Sequence, residues 1–355
     1  FTLSGLALLQ EAAQRGVRVK ILVDWMFNSL RPEVMAALLA NSKDKSGKQN
    51  VEIRVFNPGK LFEIFNLTYR AHDKLLVVDG EHIIIGSRNA KANYFGMGAP
   101  ESGRNYRDID IVLASGPSVN AARNYFHGLW KNTEDVDLVR LGDFSEISRA
   151  RNCRIADIED EGARACERNK EYNEYKLNHA HAQLFESRTL TKISPLYLSP
   201  SSWMNQFTKI YRVHFLANAP DVAMRDNNQK MSQELYAYLR DHSKASLTIV
   251  TPYLYPPTEA IELFRSLNSK GVRIKIFTNS LKSTDNYFAQ AGYREIKGSL
   301  IRAGVEIYEY PGPDILHAKA ALIDEQAVLL GSFNFNRRSA ERDRELAVII
   351  PAQEN

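Results

Sequence analysis

The sequence predicts an α/β fold of two similar units, each a mixed sheet flanked by helices, related by a pseudo-twofold axis. Three recurrences predict it. Gly16-Val17-Arg18-Val19-Lys20-Ile21 returns as Gly271-Val272-Arg273-Ile274-Lys275-Ile276. Ala71-His72-Asp73-Lys74 and the apolar run to Asp79 are echoed by Leu316-His317-Ala318-Lys319 and the run to Asp324. Gly86-Ser87-Arg88-Asn89 then matches Gly331-Ser332-Phe333-Asn334. Self-similarity at corresponding positions marks a duplicated supersecondary unit. Helices alternating with apolar strands put helices on sheet faces instead of stacking sheet on sheet.

In chain order, Leu6 to Gln14 has helical apolar spacing and stops before Gly16, a residue suited to the left-handed turn that ends a helix. The run after Gly16 reads as a strand buried on both faces. Ala260 to Leu267, Gly271 and the following run repeat that reading. In the second copy an apolar strand, Ala245 to Thr251, begins 26 residues before Gly271, and the same interval before Gly16 falls ahead of residue 1. The first copy is therefore expected to lack its opening strand, with any signal or anchor upstream. Glu134 to Lys209 follows neither copy. It is dense in Arg, Glu, Lys and Asn from Ser145 to Lys176, as in a long exposed helix with opposite charges at helical spacing. Turn residues mark Ile193 to Pro200 as a loop. The expected boundaries are residues 1–133 for the first repeat, 134–209 for a largely helical insertion and 210–355 for the second repeat.

Composition narrows the class. The 355 residues suffice for one large core or two ordinary ones, and 44% hydrophobic with 25% charged residues is usual for a globular chain. No window holds the roughly 18 consecutive apolar residues of a membrane-spanning helix. A net charge of +4 favours anionic partners only mildly, because both signs are interspersed. The two cysteines, Cys153 and Cys166, give neither a disulfide framework nor a zinc pattern.

The chemistry lies in the spacing H-x-K-x(4)-D-x(6)-G-S-x-N, unbroken in both copies. Residues two apart in extended chain face the same side, so His72 points with Lys74, and His317 with Lys319. Such a set suits a phosphodiester, whose charge repels nucleophiles until cations and amides neutralise it. Lys74, Lys319, Asn89 and Asn334 are expected to hold the non-bridging oxygens. One imidazole attacks phosphorus, and the other protonates the departing alkoxide. Each imidazole needs a carboxylate on its other nitrogen to set the tautomer. Glu345 follows His317 in the second copy. The matching Arg107-Asp108-Ile109-Asp110 makes Asp108 the expected partner of His72, with Asp110 as the alternative. Asp79, Asp324, Ser87 and Ser332 are expected to be structural members of the motif. A lone histidine in a strand is usually packing or surface, so His82 and His127 receive no role; recurrence of the whole pattern sets His72 and His317 apart.

The doubled motif resembles the signature of the phospholipase D superfamily. Thr278-Asn279-Ser280-Leu281, Ser283-Thr284-Asp285, Ala291-Gly292-Tyr293 and the stretch from Ala303 to Glu309 are similar to bacterial cardiolipin synthases of the C type. So are Asn93-Tyr94-Phe95, Arg107 to Asp110 and Phe126 through Trp130. The resemblance implies a phosphohistidine intermediate, no metal or other cofactor, attack by His72 and acid catalysis by His317. It further implies phosphatidyl transfer between membrane phospholipids, with phosphatidylglycerol a typical participant. The site would lie within one chain, peripheral to the membrane of a bacterial cell envelope. Phe95, Met97 and Phe288 are rim candidates for acyl chains. The insertion departs from the pattern. Competing readings are a phospholipase D hydrolase, such as a secreted effector, releasing phosphatidic acid, a nuclease, and a non-catalytic lipid-binding protein. Both motifs being intact disfavours the last, and the lack of interleaved aromatic and basic residues disfavours nucleic acid.

Overall fold

The computed structural model describes residues 2–24, 32–57, 69–96, 103–133, 178–180, 182–183, 186, 207–210, 212–220 and 229–352. The helix expected from Ser145 to Lys176, the loop from Ile193 to Pro200, both cysteines and Met97 lie outside these residues. The chain divides into two compact units, Phe1–Pro58 with Thr133–Thr208, and Gly59–Asn132 with Lys209–Asn355.

In the first unit, α1 (Thr2–Gln14), β1 (Val19–Asp24), α2 (Pro32–Ala40) and β2 (Val51–Phe56) follow one another. β1 and β2 pair in parallel, Val19 opposite Val51. Leu6, Ala13, Val34, Leu38, Val51 and Ile53 close a small core. Gly16 ends the α1 turn at φ +97°, where a side chain is strained.

The second unit holds the larger core. Its elements are β3 (Leu75–Val78), β4 (His82–Gly86), a 3₁₀ turn (Ala92–Phe95), β5 (Tyr106–Arg107), β6 (Asp110–Ala114), α3 (Pro117–Asn132) and β7 (His214–Ala217). Then come α4 (Lys230–His242), β8 (Ser246–Val250), α5 (Thr258–Ser269), β9 (Arg273–Asn279), α6 (Tyr287–Arg302) and β10 (Val305–Tyr310). β11 (Ile315–Leu316), β12 (Ala320–Ile323), β13 (Ala327–Gly331), α7 (Arg337–Glu341) and β14 (Leu346–Pro351) complete it. A seven-stranded sheet runs β10-β9-β8-β12-β13-β14-β7, parallel among β10, β9 and β8 and antiparallel beyond. β3-β4-β6 form a three-stranded antiparallel sheet, and β5 pairs in parallel with β11. The architecture is thus mixed α/β with sheets flanked by helices.

Apolar residues at helical spacing make the covering layer: Met231, Leu235 and Leu239 of α4, and Ala260, Leu263, Phe264 and Leu267 of α5, are buried against Leu247, Ile249, Ile274 and Ile276 of the sheet. Each of the Leu, Ile, Met and Phe side chains among them contributes about 1.5–3 kcal/mol by leaving water. The Gly-led strands are not buried on both faces. In β9, Ile274 and Ile276 are buried while Arg273 and Phe277 are exposed, and in β1 Lys20 is exposed. Basic residues alternate with aliphatic ones there, so a period of two puts the charged heads in water. Among the described residues no helix is long and apolar enough to cross a membrane.

Candidate active site

The residues singled out by the doubled motif and its acidic segments all fall in the second unit. The two histidine segments are not within strands but lead into β3 and β12, held by short parallel pairings. His72 N–H donates to Arg344 O at 3.0 Å, and Arg344 N–H donates to Arg70 O at 2.8 Å. Correspondingly, Ile315 N–H donates to Asn105 O at 2.9 Å and His317 N–H to Arg107 O at 2.8 Å. Each histidine therefore lies beside the acidic segment of the other half.

This overturns the carboxylate assignment expected within each copy. His72 Nδ1 lies 3.0 Å from both carboxylate oxygens of Glu345, and His317 Nδ1 lies 2.8 Å from Asp108 Oδ1. The carboxylate follows directly after the residue that pairs with the histidine backbone, so backbone pairing dictates which imidazole it meets. Asp110 serves neither histidine, being paired with the Arg88 guanidinium.

The G-S step explains itself in the same geometry. A Cβ on Gly86 would lie 2.6 Å from Ile109 O and 2.7 Å from Asp110 Cα, and one on Gly331 would lie 2.3 Å from Leu346 O and 2.6 Å from Ala347 Cα. Only glycine lets β4 approach β6, and β13 approach β14, so closely. The next residue then reaches the carboxylate. Ser87 Oγ donates to Asp108 Oδ1 at 2.6 Å, and Ser332 Oγ donates to Glu345 Oε2, joined by Ser339 Oγ on Glu345 Oε1. Asn218 Oδ1 accepts the Glu345 backbone N–H at 2.7 Å.

Lys74 Nζ and Lys319 Nζ each donate to the carbonyl of their own histidine at 2.6 Å, and Lys319 Nζ sits 3.0 Å from both ring nitrogens of His317. Asn89 Nδ2 donates to Tyr94 OH at 2.9 Å. Asn334 is buried, its Nδ2 only 3.4 Å from Ser339 Oγ and its Oδ1 without a hydrogen bond. Asp324 accepts the backbone N–H groups of Lys244, Ala245 and Ser246 at 2.7, 2.8 and 2.7 Å, and Asp79 forms the β3–β4 turn at φ +53°.

Burial and the lysine charges together decide protonation. Burial, followed by the charges of Lys74 and Lys319, holds His72 well below the usual imidazole range. His317 is pushed down to about 3 by burial and by Lys319, against the opposing pull of Asp108. Both imidazoles are thus neutral near pH 7, each with Nδ1–H donated to its carboxylate and Nε2 carrying a lone pair. Burial drives Lys319 well below the ammonium range and lowers Lys74, on which Glu345 pulls upward. Burial raises Asp108, but the hydrogen bond from His317 and the nearby cations bring it below the ordinary carboxylate value. Glu345 is raised by burial, with Lys74 and the two serines opposing. Two neighbouring lysines whose charged forms are disfavoured in this way gain their charge when an anion binds beside them.

Sequence reasoning gave no role to the aromatic wall on the His317 side. Tyr94 and Tyr106 stack at 4.0 Å, and Tyr94, Tyr106 and Tyr253 meet the His317 ring edge-on at 5.0, 5.4 and 6.2 Å. Asp285 accepts from Tyr106 OH at 2.9 Å and Tyr253 OH at 2.7 Å. Asn279 clasps the backbone of Leu316, accepting its N–H at 3.0 Å and donating to its carbonyl at 2.7 Å. Tyr94, Asn279 and Asp285 stand in segments that carried the resemblance, but nothing in their local pattern pointed at His317.

Comparison with known proteins follows the same residues. The family described as "Cardiolipin synthase, PLD-like domain" matches residues 4–130 and 239–355. Cardiolipin synthase C of Escherichia coli is 26% identical over 97% of this chain and 72% of its own length. An uncharacterized protein of Helicobacter pylori is 26% identical over 96% of this chain and 67% of its own. Phosphatidylserine synthase of Haemophilus influenzae has a similar fold, at a TM-score of 0.51 and 13% identity, covering 99% of this chain and 81% of that one.

Proposed function

We propose, from the premise that this chain belongs to the family of cardiolipin synthase, PLD-like domains, that it transfers a phosphatidyl group between membrane phospholipids through a phosphohistidine on His72. The observation that carries the reading is the reciprocal pairing of His72 with Glu345 and of His317 with Asp108, with both motif lysines beside them. On this reading residues 1–133 and 210–355 are two copies of one unit related by a pseudo-twofold axis, and their acidic segments are exchanged across it.

The lone pair of His72 Nε2 attacks phosphorus while Nδ1–H stays on Glu345. A nitrogen–phosphorus bond forms, the bond from phosphorus to the departing headgroup oxygen breaks, and His317 passes its Nε2 proton to that oxygen. In the second step His317, now neutral, takes the proton of an acceptor hydroxyl, whose oxygen displaces His72. Lys74, Lys319, Asn89 and Asn334 hold the non-bridging oxygens as charge grows on them. His72 is about a quarter exposed and His317 only 4%, which favours His72 as the group that meets phosphorus. His317, whose imidazole burial keeps neutral near pH 7, takes up a proton from solvent and becomes an acid when phosphate charge enters beside it. A phosphatidylglycerol acceptor yields cardiolipin; water yields phosphatidic acid.

The test incubates the chain with vesicles of phosphatidylglycerol and phosphatidylethanolamine and identifies products by lipid mass spectrometry, with His72→Ala alongside. Cardiolipin from the wild type alone supports transfer. Phosphatidic acid instead converts the reading to a hydrolase, and no lipid product removes it.

A further inference from the structure

We infer that the loop from Ser280 to Asn286, with the first turn of α6, is the edge by which this chain docks on a phospholipid bilayer, presenting the His317 side of its site to the lipid headgroups. The inference rests on the phospholipid reading above. Within eight residues the chain exposes Leu281 at 52%, Tyr287 at 67% and Phe288 at 94%. Phe288 is bare to a degree that no other large apolar side chain reaches among the described residues. Exposed apolar side chains clustered on one tip mark a contact surface.

The backbone of the loop is tied down by hydrogen bonds. Arg104 donates to Lys282 O at 2.6 Å and to Thr284 O at 2.8 Å, and Ser283 Oγ donates to Tyr310 O at 2.5 Å. Asn286 caps α6, its Oδ1 accepting Ala289 N–H at 2.9 Å. A rigid backbone holding aromatic and aliphatic groups in water suits shallow insertion at the headgroup–acyl boundary, where Tyr and Phe partition well. Lys282 is exposed beside Leu281 and, with Arg104, puts positive charge where lipid phosphates would lie.

Continuity with the site selects a bilayer as the occupant. The loop follows directly on Asn279, the last residue of β9, which clasps the backbone of Leu316 before His317. Its Asp285 carboxylate receives the hydroxyls of Tyr106 and Tyr253, whose rings stand edge-on to the His317 ring. One hydrogen-bonded side-chain layer thus separates the protruding tip from a proposed acid catalyst. A lipid whose acyl chains stay in the bilayer can then offer its phosphodiester to the site without leaving the membrane.

The experiment compares the wild type with a Leu281→Ser, Tyr287→Ser, Phe288→Ser variant. Binding to phosphatidylglycerol–phosphatidylethanolamine vesicles is read by flotation, and turnover is read on vesicles and on a short-chain phosphatidylglycerol held below its micelle concentration. The variant is expected to bind vesicles at least about a hundredfold more weakly, roughly tenfold for each aromatic removed. A Leu281→Ser, Tyr287→Ser variant, which keeps the rim candidate Phe288, should bind vesicles at least about tenfold more weakly and turn over the monomeric lipid within about twofold of wild type. Unchanged vesicle binding, or a wild type that does not float, overturns the inference. So does a wild-type dimer that the variant dissolves without lipid, since the tip then meets a second copy. Loss of flotation with no turnover of either lipid by either protein upholds docking while removing the catalytic reading.

Discussion

His72 and His317 each give one ring nitrogen to a buried carboxylate, and replacing the carboxylate by its amide separates shape from charge. Glu345→Gln and Asp108→Asn are expected to lower kcat by about 10²–10⁴ with little change in KM, because an amide can hold the wrong tautomer. Steady-state kinetics on lipid vesicles reads this. The exchange itself is tested by imidazole nitrogen resonances: Asp108→Asn should shift those of His317 and leave those of His72. Protonation makes a further expectation. The folded pKa of His317 is about 3, below the 6.5 of an unfolded imidazole. The unfolded chain therefore takes the proton first as pH falls, and stability present above pH 6.5 drains away towards pH 3, by up to ~1.4 kcal/mol per unit. Urea unfolding between pH 7 and pH 4 should fall less steeply for His317→Asn. At this scale the histidines and lysines were legible because each recurs. Their carboxylates were not, because Glu345 and His72 stand 273 positions apart and pair through backbone contacts that no local spacing encodes.

Between elements, the glycines before the two motif serines govern how closely strands approach. Gly331→Ala is expected to cost about 1–3 kcal/mol in urea unfolding, since the new Cβ meets the backbone of β14 at Leu346 and Ala347. It should also depress kcat, because moving β13 from β14 withdraws Ser332 from Glu345. An activity loss without any loss of stability would count against close approach as the reason for that glycine. Helices α1 and α5 and strand β8 were readable from apolar spacing, which depends on near neighbours. The one-sided burial of β1 and β9 was less so, because apolar letters dominate the run while alternating Lys and Arg decide which face meets water.

On the scale of the whole molecule, Lys319 is buried and Lys74 half-buried, and both are costly to charge without an anion beside them. Lys319→Met is expected to stabilise the ligand-free chain by about 1–3 kcal/mol while abolishing phosphate binding, as happens when a functional buried charge becomes packing. Wild type should gain thermal stability with inorganic phosphate and take up protons on binding it, as calorimetry in buffers of different ionisation enthalpy would detect. Absence of both effects would count against a shared phosphate site. The α/β class and the repeated motif of His72, Lys74, His317 and Lys319 were readable from residue type and short-range period alone, and the phosphate chemistry proposed for them starts from that motif. The exchange of the carboxylates, the tyrosines against His317 and the exposure of Phe288 came from the folded chain alone. Each of those depends on long-range pairing and on which surfaces the packing leaves uncovered.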